Sequence, residues 1–588
     1  MKRTWLVGLA AALAQWGITA MAAEAPPADA KLEACFRQYL EGLFQLRPLE
    51  ATRLGDHRFD RQLEDLSAAA RAGWTRYTRQ TLEELTRRVD CVGLSAAGKV
   101  DFEIFRHELL RSLWLDANTR PFEEDPRIYN TYVNDCVYLP LTQSTLPKET
   151  NLASAVARMR QIPKLLAAAR QNLQNPPRVV VQTAIAQNRG AIGFFQHDIF
   201  ELAGPAPQEE EALRAAAAAV AKALQQHQDF LEHDLLPRAR GQWRLGPERF
   251  AQKLDLELDA DLTAEQVLSA AEEEFARLEQ ELYVIARQKW FRDCAGKPFP
   301  PDDAEGRRAT VRAVLQAVGR VHGRPDELAR DVCATVERVK LFIRQHDILR
   351  LPEPDRCRLI EMPEFQRGNS TAFLNPAPPL DPQAPSIYAV SPPPKEWDTA
   401  RVESFLEEYN HCLLQILTIH EAYPGHYVQL EYANRVPSLV RRVLGSGVYM
   451  EGWAVYMEQT MLDEGYGDGD LALRLTQLKF RLRAVGNAIL DHKMHCCGMT
   501  DDEALAFLTG RAFQSEGEAR LKIIRAKQSS CQLSTYFVGR TAMMRLRAAI
   551  QRELGPKFRL ARFHEAVLQQ GSVPVKYLPA LVRVELGL

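Results

Sequence analysis

The sequence predicts a mainly α-helical protein carrying one small β-sheet. Long stretches place apolar residues three and four apart, the period of a helix with one buried face. One region, 357–394, instead has short β-prone pieces separated by proline-rich turns. The composition, 46% hydrophobic and 26% charged over 588 residues, is that of a globular chain long enough to bury a large core.

Each element follows from its own pattern. In LEACFRQYLEGLFQL (32–46), Leu32, Cys35, Phe36, Tyr39, Leu40 and Phe44 fall on one stripe. Similar stripes run through 155–173, 211–236 and 264–290. Before the last, Thr263 followed by Gln266 predicts a capping box. The alanine tract 215–220 reads as close helix packing. Within 357–394 the pieces LIEM, STAFL and SIYAV predict strands. They precede the principal motif, so the sheet is expected beside the site, where its edge could hold an extended peptide.

The first residues, MKRTWLVGLAAALAQWGITAMA, have a basic start, a short apolar run and a small-residue cleavage site. Residues 1–22 read as a secretory signal peptide, too short for a membrane span. The expected mature protein is periplasmic or secreted, with no permanent membrane span. Net charge is −2, with 74 basic and 76 acidic residues; losing Lys2 and Arg3 makes it −4. No long basic stripe appears, so nucleic acid is not an expected partner. Ten cysteines without a CxxC pair exclude zinc-ribbon and thioredoxin-like readings. Few disulfides and mostly buried free thiols are expected.

The chemistry concentrates in HEAYPGH, His420 to His426. In the common H-E-x-x-H pattern the histidines are four apart, so both face one metal. Here they are six apart, and an unbroken helix would set them about 120° from each other. Pro424 cannot donate to the carbonyl of residue 420, and Gly425 allows unusual backbone angles. Together they predict a local distortion that swings His426 back toward His420. A helix that ends at Tyr423, with His426 in the next segment, would also let both reach one ion.

A third ligand is available in GVYMEGWAVYMEQTMLDE (447–464). Glu451 and Glu458 are seven apart, on one face but about 10 Å apart along the axis, so only one can touch the ion. Glu451, in the more apolar setting, is the expected ligand; Glu458 either supports it or is solvated. Two histidines, one carboxylate and an open position suit catalytic Zn(2+). Glu421, next to His420, is then the expected general base.

These motifs resemble the DUF885 family, whose HEAxPGHHxQ pattern stands here as HEAYPGHYVQ, with Tyr427 replacing the usual second histidine. Further segments match: 47–67, EGWAVYMEQ (451–459), LDHKMHCCGMTDDEAL (490–505) and SCQLSTYFVGR (530–540). In the last, Gln532, Tyr536 and Gly539 match, while Ser530 and Cys531 replace the usual Pro-Gly. The resemblance implies a large helical zincin-like fold, of the neurolysin or carboxypeptidase kind. An N-terminal helical lobe (23–240) and a catalytic lobe (241–588) are expected, with the sheet at 357–394 and the metal site at 420–451. Tyr536 or His495 could stabilise an oxyanion, and Arg525, with Gln532, could bind substrate. The expected function is an exported zinc-dependent peptidase acting on a peptide substrate. The alternatives are a non-catalytic protein that binds a peptide or partner, and a metal-assisted hydrolase of another amide or ester.

Overall fold

The computed structural model describes residues 27–205, 209–362, 372–394 and 397–588; the signal-peptide segment 1–22 lies outside them. The chain is mainly helical. The first stripe forms the helix Pro27–Leu46 and buries all six residues named above. The helix Ala264–Asp293 starts at the expected capping box: Gln266 N donates to Thr263 Oγ1, and Thr263 N donates to Gln266 Oε1. The stretch 155–173 is not one helix. It breaks at Arg160 and Gln161 into Lys148–Met159 and Ile162–Asn172. Pro163 is the cause, since it sits in the first turn of the second helix, where its missing N–H costs nothing.

Two hydrophobic cores form. The smaller is built mostly from residues 129–239. The larger joins residues 32–109 to residues 250–582. The end of the smaller core thus falls near residue 240, but the first helices pack with the C-terminal half. The alanine tract contributes Ala216 and Ala217 to the smaller core, both buried.

The three predicted strands are β1 (Cys357–Glu361), β2 (Ala372–Asn375) and β3 (Ser386–Val390). Their order is β1-β3-β2. β3 runs parallel to β1 and antiparallel to β2, with Tyr388 opposite both Leu359 and Leu374. Every residue of β3 is buried, as its apolar run SIYAV requires. β2 is an edge strand, and it lies against the helix His411–Glu421.

All ten cysteines are free. Only Cys35, Cys136, Cys294 and Cys531 are buried, while Cys91, Cys333 and Cys497 are exposed. The expectation of unbridged thiols holds; that of mostly buried ones does not.

Two glycines set a close helix crossing. The helices Gly447–Asp463 and Thr535–Leu554 meet at Gly452 and Gly539. A Cβ on Gly539 would lie 1.9 Å from Val448 O and 2.6 Å from Gly452 Cα. Backbone would have to move, because no flexible side-chain end is available to give way. Gly539→Ala is therefore expected to cost about 1–3 kcal/mol, read as a lower urea midpoint. Gly517→Ala, at an exposed helical position with nothing within 4 Å, should not lower the midpoint and should raise it slightly.

Behind this crossing His564 is fully buried. Its Nδ1 donates to Ile348 O and its Nε2 accepts from Tyr456 Oη, both at 2.8 Å. Burial lowers its pKa to about 3. In the unfolded chain histidine titrates near 6.5, so the unfolded state holds the extra proton between pH 3 and 6.5. His564's contribution is therefore complete above pH 6.5 and is lost as the pH falls toward 3. His564→Gln should flatten the acid limb of a urea-midpoint-versus-pH curve, by up to about 1.4 kcal/mol per pH unit.

Candidate metal centre

The helix His411–Glu421 starts at Asn410, whose Oδ1 accepts from Cys412 N and Leu413 N. It ends just before the Pro-Gly pair, and a new helix begins at His426 and runs to Ala433. The chain is thus broken into two helices, not opened within one. Gly425 makes the break tight: a Cβ there would lie 1.9 Å from His420 O. Trp453 Nε1 donates to Pro424 O at 2.9 Å, which ties the break to the helix carrying Glu451.

The break brings the two imidazoles together, with ring centroids 4.8 Å apart and nearly perpendicular. His420 Nε2 lies 3.6 Å and His426 Nε2 3.4 Å from Glu451 Oε2. One ligand atom from each residue falls within 4.8 Å of the others. Ligands around a tetrahedral centre with zinc–nitrogen bond lengths sit about 3.3 Å apart, so the two carboxylate–imidazole spacings fit. Glu451 Oε2 is buried and has no hydrogen-bond donor among the described residues, which a cation would remedy.

Glu458 is the residue that sequence reasoning left open. It is fully buried, and its Oε1 lies 2.6 Å from His420 Nδ1. A proton on Nδ1 frees Nε2 as a ligand, the carboxylate–histidine arrangement common behind metal ions. Its seven-residue spacing from Glu451 was the available signal.

Glu421 sits directly after His420, and its Oε2 accepts from Leu374 N of β2 at 3.1 Å. Burial raises its pKa, partly offset by His420 and His426. Burial opposes charge on His420 too, but the carboxylate of Glu451 facing its Nε2 and that of Glu458 bonded to its Nδ1 outweigh it and raise its pKa well above the usual value. Burial likewise opposes ionisation of Glu451, yet both imidazoles hold it well below the ordinary carboxylate range.

Arg525, Gln532 and Tyr536 meet as a group. Arg525 Nη2 donates to Tyr536 Oη at 3.1 Å and to Gln532 Oε1 at 2.8 Å. Burial, then the negative charge of Glu451, push Tyr536 up to about 12. Its phenol therefore keeps its proton at neutral pH, near the cluster. Lys522, three residues before Arg525, is buried. Burial and then the charges of Arg483 and Arg525 push it well below the usual lysine value, with Glu518 and then Glu451 acting the other way. Nothing in its local sequence signalled this.

His495 is a correction, because it does not join the site. Its Nε2 faces Ala526 O at 3.0 Å and Ser529 O at 3.1 Å, and its Nδ1 accepts from Leu245 N at 3.4 Å. It is buried against Trp243 and Phe250. Both nitrogens are committed to backbone, so its role is to hold these segments together and not to act on a substrate.

A family model described as "Bacterial protein of unknown function (DUF885)" matches residues 48–582. The chain belongs to the DUF885 family. A solved structure described as a "putative lipoprotein of unknown function" from Shewanella oneidensis is 30% identical, with a TM-score of 0.77, covering 94% of this chain and 99% of that one. A second, described as a "putative lipoprotein" from Colwellia psychrerythraea, is 20% identical with a TM-score of 0.78, covering 95% and 99%. A comparison with curated proteins finds no match.

Two departures from the DUF885 pattern now have a structural account. Adjacent helical residues are about 100° apart, so only one of positions 426 and 427 can face Glu451. Tyr427 is fully buried, and its Oη accepts from Arg356 N at 2.8 Å. Cys531, standing where the DUF885 pattern has glycine, keeps a left-handed φ of 70° that suits glycine best.

Zinc titrated into the apoprotein should bind with roughly one equivalent and release protons, since ligand imidazoles must be neutral. Affinity should therefore fall as pH drops. Glu458→Gln should weaken binding about 10–100-fold, and Glu451→Ala should weaken it further. Isothermal titration in buffers of different ionisation enthalpy measures both.

Proposed function

We propose that this DUF885 protein is an exported zinc-dependent peptidase with a helical zincin-like architecture. The observation that supports it most is the convergence of His420, His426 and Glu451 with the Glu421 carboxylate beside them. A zinc ion held by these three would supply Lewis acidity and bring a coordinated water's pKa toward neutrality.

The chain's own residues account for the remaining tasks. Glu458 keeps the proton on His420 Nδ1, so that Nε2 stays a donor of electrons. Glu421, held by the Leu374 amide, is a base placed to take a proton from the attacking water and return it to the leaving nitrogen. Its raised pKa suits a group that must both accept and release that proton. Tyr536, protonated at neutral pH, can donate to the developing oxyanion. The edge strand β2 lies beside Glu421, which favours an extended peptide aligned along the sheet.

Export rests on the basic, then apolar, start of the sequence and on similar structures described as lipoproteins. Among the described residues no helix is long and apolar enough to cross a membrane.

A peptide library read by mass spectrometry, with chelation and zinc re-addition, tests the reading. Glu421→Gln should lower cleavage at least about 10²-fold with zinc content unchanged. Tyr536→Phe should lower kcat about 10²-fold more than it alters KM. Full activity in Glu421→Gln, or no cleavage by the zinc-loaded protein, would overturn the assignment.

A further inference from the structure

A cavity lies behind the candidate metal centre. Its volume is about 240 Å³, and it is bounded by the helices Ala304–Gly319, Thr399–Glu408, His411–Glu421 and Leu471–Cys496, and by the turn around Gln514. Phe480 lines it, and the same ring stands edge-to-face with His420 at 6.1 Å. One aromatic side chain thus touches both the cavity and a candidate metal ligand.

Three features of its wall are unspent. Gln514 lines the cavity and is only 5% exposed, yet neither Nε2 nor Oε1 meets a hydrogen-bond partner among the described residues. A buried primary amide left unpaired is destabilising, because it gives up its water without a replacement partner, so its retention calls for one. Arg312 lines the cavity with no ion-pair partner among the described residues; its Nη2 makes only a long contact of 3.4 Å to Gly510 O. Glu407 lines it as well, and no cation pairs with it among the described residues. By contrast the neighbouring charges are satisfied: Lys479 Nζ binds Glu408 at 2.7 and 2.9 Å, and Arg483 Nη1 binds Glu518 at 2.9 Å.

The backbone supplies a separate observation. Phe513, also on the cavity wall, has φ +54°. It follows the helix Asp501–Gly510 at the left-handed position where glycine is the usual residue. Gln514 N then donates back to Leu508 O at 3.1 Å, so this strained turn fixes where the Gln514 amide sits. Strain of this kind persists where the surroundings enforce it, and it clusters at binding sites.

We infer that this cavity binds a free α-amino acid with a polar side chain. Arg312 would take its carboxylate, Glu407 its ammonium, and the Gln514 amide a side-chain amide or acid. The amide both donates and accepts, so it suits glutamine-like or glutamate-like ligands better than apolar ones. The volume suits a molecule of amino-acid size and is below the usual range for drug-sized ligands. The site does not depend on the metal centre being catalytic.

The test is isothermal titration of the full chain with L-glutamine, L-glutamate and L-leucine. Saturable binding of L-glutamine or L-glutamate is expected, at least tenfold tighter than L-leucine. Gln514→Leu, close in volume and free of the unpaired amide, should keep a native melting transition and weaken that binding at least tenfold. Arg312→Gln provides a second variant on a different element and should also weaken it. Glu421→Gln should leave it unchanged, which separates this proposal from the peptidase reading. No saturable binding by the unaltered chain, or equal affinity in Gln514→Leu and Arg312→Gln, would overturn it.

Discussion

Gly425 approaches the carbonyl oxygens of His420 and Ile419 more closely than any side chain would permit; a Cβ would lie 1.9 and 2.3 Å from them. That contact lets one helix end and the next begin within four residues. His420 occupies the last turn of the first helix, and His426 is the first residue of the second. Trp453 then fixes the break through Pro424 O. Because Trp453 shares a helix with Glu451 and Glu458, the same hydrogen bond sets the register of both carboxylates against both imidazoles. The geometry of the candidate metal centre therefore rests on one tight turn and one indole N–H.

The electrostatics of the centre follow from burial. Glu421, Glu451 and Glu458 lie around two imidazoles with little access to water. Ionised carboxylates are costly in such a setting unless paired. The local response is a raised pKa at Glu421 and Glu458, where burial is the largest cause, and a lowered one at Glu451, where both imidazoles prevail. A divalent cation among the Nε2 atoms and Glu451 Oε2 would relieve the same imbalance. The DUF885 segments EGW and YxxG also gain a shared reason: Gly452 and Gly539 let their helices touch backbone to backbone, which brings Glu451 and Tyr536 near each other.

Much of this was legible in the sequence. Six apolar residues in the first helix, the capping box at Thr263 and the three strand pieces all follow from local periodicity and turn chemistry. The candidate ligand set and candidate base followed from donor types, Gln532 and Tyr536 from the family segment they lie in, and Arg525 from the carboxylate-binding chemistry of a guanidinium. Other readings failed where the deciding partner is distant. His495 looked chemical because it lies in a matched segment, but its nitrogens are taken by Leu245, Ala526 and Ser529. Lys522 and Gln514 gave no signal, since what distinguishes them is burial, with the Gln514 amide unpaired among the described residues. Pro163 was a local clue that the periodicity of 155–173 obscured.

The sequence by itself determined which segments are helical, where the sheet lies and which residues can bind a metal, because these depend on period, capping and donor chemistry within a few turns. Tertiary structure alone decided that the helix breaks instead of bulging, that His426 faces Glu451 while Tyr427 binds Arg356, and that Glu458 stands behind His420. It also decided that residues 32–109 share a core with the C-terminal half. The physical reason is that side-chain direction and burial are set by contacts between residues far apart in the chain, and no local pattern encodes them.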